Sequence, residues 1–188
     1  MKRRSDEEIS APLYEYDAAV RAQYGCFAGV DEAGRGPLCG PVCVAACILD
    51  PENPVHGIND SKKLTPARRE LLSVKIAEVA TAIGFCHIAP ADIDEMGMAR
   101  AIRTAVAGAV ADTGLEPDCV LMDGNPLGAV PNERDVVKGD AKIACIAAAS
   151  IMAKVTRDEM MVEYDAEYPE YHLAESKGYA SPQHIEAI

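Results

Sequence analysis

Short apolar runs and helical stripes alternate along this 188-residue chain. The apolar runs predict strands over 27–31, 42–49, 83–88 and 119–122, with a shorter one over 135–137. Longer segments with apolar residues every three or four positions predict helices after residue 65, over about 91–114 and over 140–164. This order predicts an α/β domain in which helices cover a mixed sheet.

The predicted helices carry boundary signals. Thr65 is a candidate N-cap with Pro66 in the first turn, and Gly114 is placed to end the second helix. The apolar stripes are formed by Leu72 and Ile76 in the first helix, by Ile102, Val106 and Val110 in the second, and by Ile143, Ala147, Ile151 and Val155 in the third.

Composition is consistent with one domain. Hydrophobic residues make up 49% of the chain, with no Trp and two Phe, so small and aliphatic side chains must fill the core. We predict an N-terminal extension over 1–24 and the domain proper over 25–188. The seven cysteines form no Cys-x-x-Cys pair and indicate neither zinc nor a disulfide framework. Without a signal peptide or a membrane-spanning run, the sequence predicts a cytoplasmic monomer that does not enter a membrane.

The net charge of −12 argues against a nucleic-acid partner, because affinity for phosphates depends on Lys and Arg. Many acids, however, lie in the first 17 residues and over 158–175, away from the central motifs. The basic residues cluster beside those motifs, so a locally basic surface remains compatible with an acidic chain. Composition by itself does not indicate nucleic acid.

Four acidic residues follow predicted strands or open a predicted helix. Asp31 and Glu32 follow the first strand, and only Arg35 lies close by to balance them. Asp123 follows the fourth strand and Asp140 precedes the last helix. Buried carboxylates need a counter-charge, and ligands of α/β sheets collect at the carboxyl ends of strands. Oxygen ligands select hard ions, so this pattern predicts a site for Mg²⁺ or Mn²⁺.

Two other interpretations of these segments remain open. Asp123 stands in an Asp-Gly turn dipeptide, and Asp140 could serve as a helix cap. The bend after the first strand could also be a dinucleotide-binding loop, although two features argue against that interpretation. There, Gly34 and Gly36 are followed by Gly40 rather than by a glycine at position 39, and the two carboxylates would repel a phosphate.

The motifs resemble those of type 2 ribonuclease H, also called ribonuclease HII. The resemblance covers roughly positions 25–182, nearly the whole chain, with several motif blocks in one order. The blocks are Asp-Glu-Ala-Gly-Arg-Gly-Pro-Leu-x-Gly-Pro from residue 31, Asn-Asp-Ser-Lys-Lys-Leu from 59, Met-Asp-Gly-Asn from 122, Val-Lys-Gly-Asp from 137, Ala-Ala-Ala-Ser-Ile-Met-Ala-Lys-Val-Thr-Arg-Asp from 147 and Lys-Gly-Tyr from 177.

This resemblance implies a ribonuclease H-like fold, a mixed five-stranded sheet flanked by helices with a short C-terminal helical segment. It implies an endoribonuclease that hydrolyses the RNA strand of RNA–DNA hybrids. It would also cut at single ribonucleotides in duplex DNA and leave 5′-phosphate and 3′-hydroxyl ends. One or two Mg²⁺ or Mn²⁺ ions would be held by the residues that also serve as the catalytic ones: Asp31, Glu32, Asp123 and Asp140.

Substrate contacts are expected beside these acids. In the resembled family, a loop matching Gly34, Arg35 and Gly36 acts with a tyrosine matching Tyr179 to recognise a ribonucleotide followed by deoxyribose. Tyr179 could instead be a packed turn aromatic. The polar positions of the last helix could equally form its solvated side, in a stripe that includes Asp158. The residues expected to contact the nucleic-acid backbone are Asn59, Ser61, Lys62, Ser150 and Lys154.

The chain departs from the family pattern at two places. Ser176 stands where the family usually has a histidine, and the given sequence ends at Ile188, before the usual basic tail. We expect this difference to weaken substrate binding more than it disturbs the acids. The alternative function is a non-catalytic hybrid-binding module of the same fold, which the presence of all four acids disfavours. A dinucleotide-dependent enzyme is the third possibility.

Overall fold

One mixed sheet forms the centre of the computed structural model, which describes residues 4–188. Its strands are β1 (Phe27–Ala33), β2 (Val42–Ile48), β3 (Ala82–Ile88), β4 (Cys119–Asp123) and β5 (Glu133–Val136). Their order across the sheet is β3-β2-β1-β4-β5. The pairs β1–β2 and β2–β3 are antiparallel, whereas β1–β4 and β4–β5 are parallel. The predicted mixed five-stranded sheet is confirmed.

Helices cover both faces of this sheet. They are α1 (Asp6–Tyr24), α2 (Pro66–Val79), α3 (Pro90–Met96), α4 (Met98–Asp112), α5 (Ala144–Glu167), α6 (Leu173–Ser176) and α7 (Pro182–Ala187). Side chains of α1, α2 and α5 form the core on one face of the sheet. Side chains of α4 form the core on the other face, and partly buried side chains of α3 pack against it. The short helices α6 and α7 form the expected C-terminal helical segment.

The N-terminal helix shares its core with the sheet. Leu13 and Val20 of α1 are buried in the same cluster as the apolar side of α5. The Asp17 carboxylate accepts hydrogen bonds from the backbone N–H groups at the start of α5. The domain boundary at residue 25 stays a prediction, although the described part of the extension packs on the sheet. Residues 1–3 of that predicted extension lie outside the described residues.

Three predicted boundaries are wrong. The segment over 91–114 forms two helices rather than one, because Gly97 at φ +81° leaves the helical conformation. The segment over 140–164 begins with a separate 3₁₀ turn, Gly139–Ala141, and α5 itself starts at Ala144 and runs to Glu167. Strand β1 extends two residues beyond Asp31, because its last residues pair with β2.

Other boundaries agree closely with the sequence pattern. Thr65 caps α2 by accepting from the Arg68 backbone N–H, with Pro66 in the first turn as predicted. The short strand expected over 135–137 is found two residues earlier, as β5. Among the helices of residues 4–188, none is both long enough and apolar enough to span a membrane.

Candidate active site

The parallel pairing of β1 with β4 places two of the predicted acids side by side. Val30 pairs with Met122, so Asp31 and Asp123 follow at the same level of neighbouring strands, which lie about 4.8 Å apart. Alternate residues of a strand point to the same face. Asp123 therefore shares the face of Leu121, which packs in the core with α5.

Asp31 is held in a site of excess negative charge. Its side chain is 8% exposed, and its Oδ1 accepts from the Glu32 backbone N–H at 2.8 Å. Burial, together with the nearby carboxylates of Glu32 and Asp123, raises the pKa of the Asp31 carboxyl to about 8, against the lowering effect of a hydrogen bond from Ser150. Arg35 lies 3.7 Å from Glu32 but is 68% exposed, so it offsets little of this charge.

Asp140 lies in the 3₁₀ turn before α5 and is 7% exposed. The turn is joined to β4, because the Gly139 backbone N–H donates to Asp123 Oδ1 at 2.6 Å. Burial and then the carboxylates of Asp123 and Asp60 raise the pKa of Asp140. Asp140 therefore stands beside two other acids. The alternative role as helix cap is wrong, since α5 begins four residues later.

Asp60 is a further acid at the site, and the sequence pattern did not predict a role for it. It caps the 3₁₀ turn at Ser61–Lys63 by accepting from the Lys62 backbone N–H at 3.0 Å, and it lies close enough to Asp140 to share a hydrogen bond. The available signal was its place inside the Asn59–Lys62 motif. Its proximity to Asp140 depends on the fold and could not be seen in that motif.

The acids are neighbours, but they do not form a closed cage. Within residues 4–188, no three His, Cys, Asp or Glu side chains are close enough to hold one ion together. Two of the carboxylates instead accept backbone N–H groups, those of Glu32 and Gly139. Like charges in a partly buried site repel one another. The donor set of carboxylate oxygens suits a hard divalent ion.

A single cleft of about 590 Å³ gathers most of the predicted site. It opens between the end of β1, the bend over residues 34–40 (the glycine bend), the turn before α2 and the middle of α5. Among the predicted residues, Asn59 and Asp140 do not line it; Asn59 is half-buried and accepts from the Asp60 backbone N–H at 2.9 Å. The predicted residues that line it are Asp31, Glu32, Gly34, Arg35, Gly36, Ser61, Lys62, Asp123, Ser150, Lys154 and Tyr179.

The polar residues of this cleft differ in accessibility. Ser61 and Ser150 are buried, and their hydroxyl oxygens are 2.8 Å apart, so they form its floor. Lys62 is exposed at the rim. Lys154 Nζ donates to Asp158 Oδ1 at 2.6 Å and lies 5.4 Å from the centre of the Tyr179 ring. The polar stripe on α5 is thus a set of paired charges next to the tyrosine rather than a freely solvated face.

Arg157 was not predicted to have a role, yet it is fully buried next to the site. Its guanidinium donates to the backbone carbonyls of Pro41 at 2.9 Å, Cys39 at 3.0 Å and Lys177 at 2.9 Å. Gly34 (φ +110°) packs so closely against the Arg157 side chain that a Cβ at this position would lie 2.7 Å from Arg157 Nε. One side chain therefore ties the glycine bend to the segment before Tyr179. This role could not be predicted from the sequence, because Arg157 lies beside the polar stripe of α5 and its backbone partners come from other segments.

Tyr179 faces the glycine bend across the cleft. Its ring is 45% exposed, and a Cβ at Gly36 would lie 4.0 Å from its Cε1. Two hydrogen bonds fix the turn before it: Leu38 N–H donates to the Gly178 carbonyl at 2.8 Å, and Gly178 N–H donates to Ser176 Oγ at 3.1 Å. Ser176, the departure from the family pattern, thus orders this turn.

Comparisons with known proteins indicate one family. The family model described as Ribonuclease HII matches residues 28–188. A ribonuclease HII of Shewanella amazonensis is 49% identical over 174 residues, which cover 92% of this chain and 84% of the relative. That of Vibrio vulnificus is 46% identical over 183 residues, 97% of this chain and 86% of the relative.

Solved structures show the same architecture. The ribonuclease H2 of Pyrococcus horikoshii superposes with a TM-score of 0.74 at 30% identity, covering 86% of this chain and 84% of that one. A second match is described as the PCNA:RNase HII complex from Archaeoglobus fulgidus. It has a TM-score of 0.73 at 26% identity and covers 86% of this chain and 85% of that one.

Proposed function

This chain belongs to the ribonuclease HII family and is a ribonuclease H, and we propose that it hydrolyses the RNA strand of RNA–DNA hybrids at the cleft described above. The proposal extends to cleavage at single ribonucleotides in duplex DNA, with 5′-phosphate and 3′-hydroxyl products. The observation that carries it is the convergence of strand-end acids, the glycine bend and Tyr179 on one cleft.

Divalent ions are part of this proposal. Asp31, Glu32, Asp123 and Asp140 would hold one or two Mg²⁺ or Mn²⁺ ions, the hard ions that carboxylate oxygens prefer. Such ions, when bound, lower the pKa of water and stabilise the charge that develops on an attacked phosphate. The excess of negative charge around Asp31 supports a cation at this position.

The remaining cleft residues would bind and orient the nucleic acid. Lys62 at the rim and Lys154 on α5 offer positive charge to phosphates, and such contacts position a duplex without reading its sequence. The glycine bend and the Tyr179 ring enclose a space in which a ribose 2′-hydroxyl can be distinguished from deoxyribose. Water loses a proton as its oxygen bonds to phosphorus. The bond from phosphorus to the 3′-oxygen breaks, and that oxygen takes up a proton and leaves as the 3′-hydroxyl.

A cleavage assay on two substrates tests the proposal. One is a DNA duplex with a single ribonucleotide, and the other is an RNA–DNA hybrid of equal length, each with and without Mg²⁺. We expect Mg²⁺-dependent cutting of both, with 5′-phosphate ends detected by a phosphate-dependent exonuclease. Binding of either substrate without cleavage would favour the hybrid-binding module instead.

We also propose that the protein is a cytoplasmic monomer. Light scattering on the purified protein tests the oligomeric state.

A further inference from the structure

Helix α5 begins without a cap from its own segment. Its N-cap residue, Ile143, makes no side-chain hydrogen bond to the first turn. The first N–H groups of a helix have no partner within the helix, and here Ala144 and Cys145 are fully buried. Asp17 of α1 supplies the acceptors, with Oδ1 2.8 Å from the Ala144 nitrogen and Oδ2 3.2 Å from the Cys145 nitrogen. Asp17 itself is 6% exposed.

The segment that Asp17 caps also carries Asp140. At its front, Gly139 N–H donates to Asp123 Oδ1, and Ile143 N–H then closes the turn by donating to the Gly139 carbonyl at 2.8 Å. Two carboxylates therefore anchor the two ends of residues 139–145, Asp123 in front and Asp17 behind. Between these anchors lies Asp140.

The same start of α5 also lies directly against β1. A Cβ added at Gly29 would collide with the backbone of Cys145 and Ile146. Gly29 stands two residues before Asp31 on the same face of the strand. Any shift of the first turn of α5 would therefore move Asp140 relative to Asp31.

We propose that Asp17 is a positioning residue for the reaction, because its cap on α5 fixes the turn that presents Asp140 to the other acids. This inference rests on the proposed role of Asp140 as a metal ligand. Asp17 lies outside the residues 28–188 that the family model matches. Through Asp17, helix α1 becomes part of the framework of the active site. Loss of a group that orients a metal ligand typically lowers metal affinity by about 10- to 100-fold.

The test uses Asp17→Asn, which keeps the shape but offers a single acceptor oxygen to the two N–H groups. In the metal-free protein, we expect the amides of residues 139–145 to exchange with deuterium about tenfold faster. In cleavage assays, the half-saturating Mg²⁺ concentration should rise roughly tenfold. The KM for an RNA–DNA hybrid at saturating Mg²⁺ should stay unchanged, because the substrate-binding residues keep their places.

Tyr14→Phe is the matched control. Tyr14 lies on the same helix, and its hydroxyl accepts from the Val55 backbone N–H at 2.7 Å, so its loss weakens α1 without removing either Asp17 bond. This control should lower the melting temperature and leave both the exchange of residues 139–145 and the Mg²⁺ requirement unchanged. If Asp17→Asn fails to fold, Asp17→Glu keeps the charge and should shift the same two quantities in the same direction.

Two outcomes would overturn the inference. One is an unchanged Mg²⁺ requirement in the Asp17 variants, and the other is a shift no larger than that of Tyr14→Phe. The proposed role of Asp140 as a metal ligand fails separately, if Asp140→Asn keeps full cleavage, and the proposed function fails if the unaltered protein cleaves neither substrate. In that case the deuterium exchange of the metal-free protein still shows whether Asp17 fixes the turn.

Discussion

At the scale of single residues, Arg157 orders two segments that lie far apart in the sequence. Its three hydrogen bonds reach the backbone of the glycine bend and of the segment before Tyr179. A buried arginine without such partners would be costly. The ring that faces Gly36 is therefore placed by contacts beneath it, while its own surface stays exposed. An exposed aromatic ring held at a cleft suits binding better than packing.

We predict that Tyr179→Ala reduces cleavage at a single embedded ribonucleotide more than cleavage within a long RNA tract. An internal position of the tract offers no ribose–deoxyribose junction, so less depends on the ring there. Loss of stacking and ribose contact should cost about 1–3 kcal/mol, or about 5- to 150-fold in kcat/KM on the first substrate. The measurement is kcat/KM on both substrates.

Tyr16→Ala is the control for this experiment, because Tyr16 is also 45% exposed but lies on α1 and does not line the cleft. It should leave both activities unchanged. An equal loss on the two substrates in Tyr179→Ala would assign Tyr179 to general binding, and no loss on either would make it a packed turn aromatic.

At the scale of elements, the apolar pattern predicted the five strands and the segments of α2, α3 with α4, and α5, but it did not predict helix α1, and it missed two helix boundaries. The cap of α5 is Asp17, which is 127 residues away from Ala144 in the sequence, so no local signal could locate that boundary. The predicted continuous helix over 91–114 failed because a single glycine in an apolar-periodic segment is compatible with a helix. A long-range contact decided the first case, and the backbone conformation of Gly97 decided the second.

Only part of the candidate site could be predicted from the sequence. Asp31 and Asp123 could be identified because each follows an apolar strand, and the parallel pairing brought them together. Asp60 and Arg157 were missed, since their roles depend on neighbours from other segments. Ser61 and Ser150, predicted to contact the nucleic-acid backbone, line the cleft, but their mutual hydrogen bond and burial could not be seen in the sequence.

The break between α3 and α4 yields a prediction about stability. Gly97 has φ +81° and ψ +149°, a conformation that side chains disfavour, while a Cβ there would meet nothing within 4 Å. Gly97→Ala should therefore lower the free energy of unfolding by about 1–3 kcal/mol through backbone strain alone. Cleavage should be unchanged, because α3 and α4 lie on the face of the sheet opposite α5. Urea unfolding and the cleavage assay measure the two effects.

An increase in helicity without loss of stability would contradict this prediction. It would mean that the chain can relax into the one continuous helix that the apolar pattern favours. Circular dichroism on the same samples distinguishes the two outcomes.

At the scale of the whole molecule, a chain with a net charge of −12 must bind a polyanion through a few local contacts. The cleft rim offers Arg35, Lys62 and Lys154, while Arg69 donates to the carbonyls of Ser61 and Leu64. Few phosphate contacts release few counterions. The affinity of this protein for nucleic acid should therefore depend less on salt concentration than is usual for nucleic-acid-binding proteins.

We predict that log K for a duplex with one ribonucleotide falls with log salt at a slope of about −2 to −3, since each phosphate contact contributes about −0.9. Asp123→Asn provides a binding-competent background without turnover for this titration. In that background, Lys62→Ala should make the slope shallower by about 1. Lys63→Ala, the neighbouring lysine that does not line the cleft, should leave it unchanged. A steep slope, or equal effects of the two lysines, would contradict this account of the surface.

The most direct test of the central claim replaces the side-by-side acids by their uncharged isosteres. Asp31→Asn and Asp123→Asn should each lower Mg²⁺-dependent cleavage by more than about a hundredfold, because each removes a proposed metal ligand. Their metal-free melting temperatures should not fall, since each change relieves repulsion within the acidic cluster. Asp94→Asn, an exposed acid on α3, is the control and should keep full activity. Near-normal cleavage by either variant would contradict the claim that these carboxylates form the catalytic metal site.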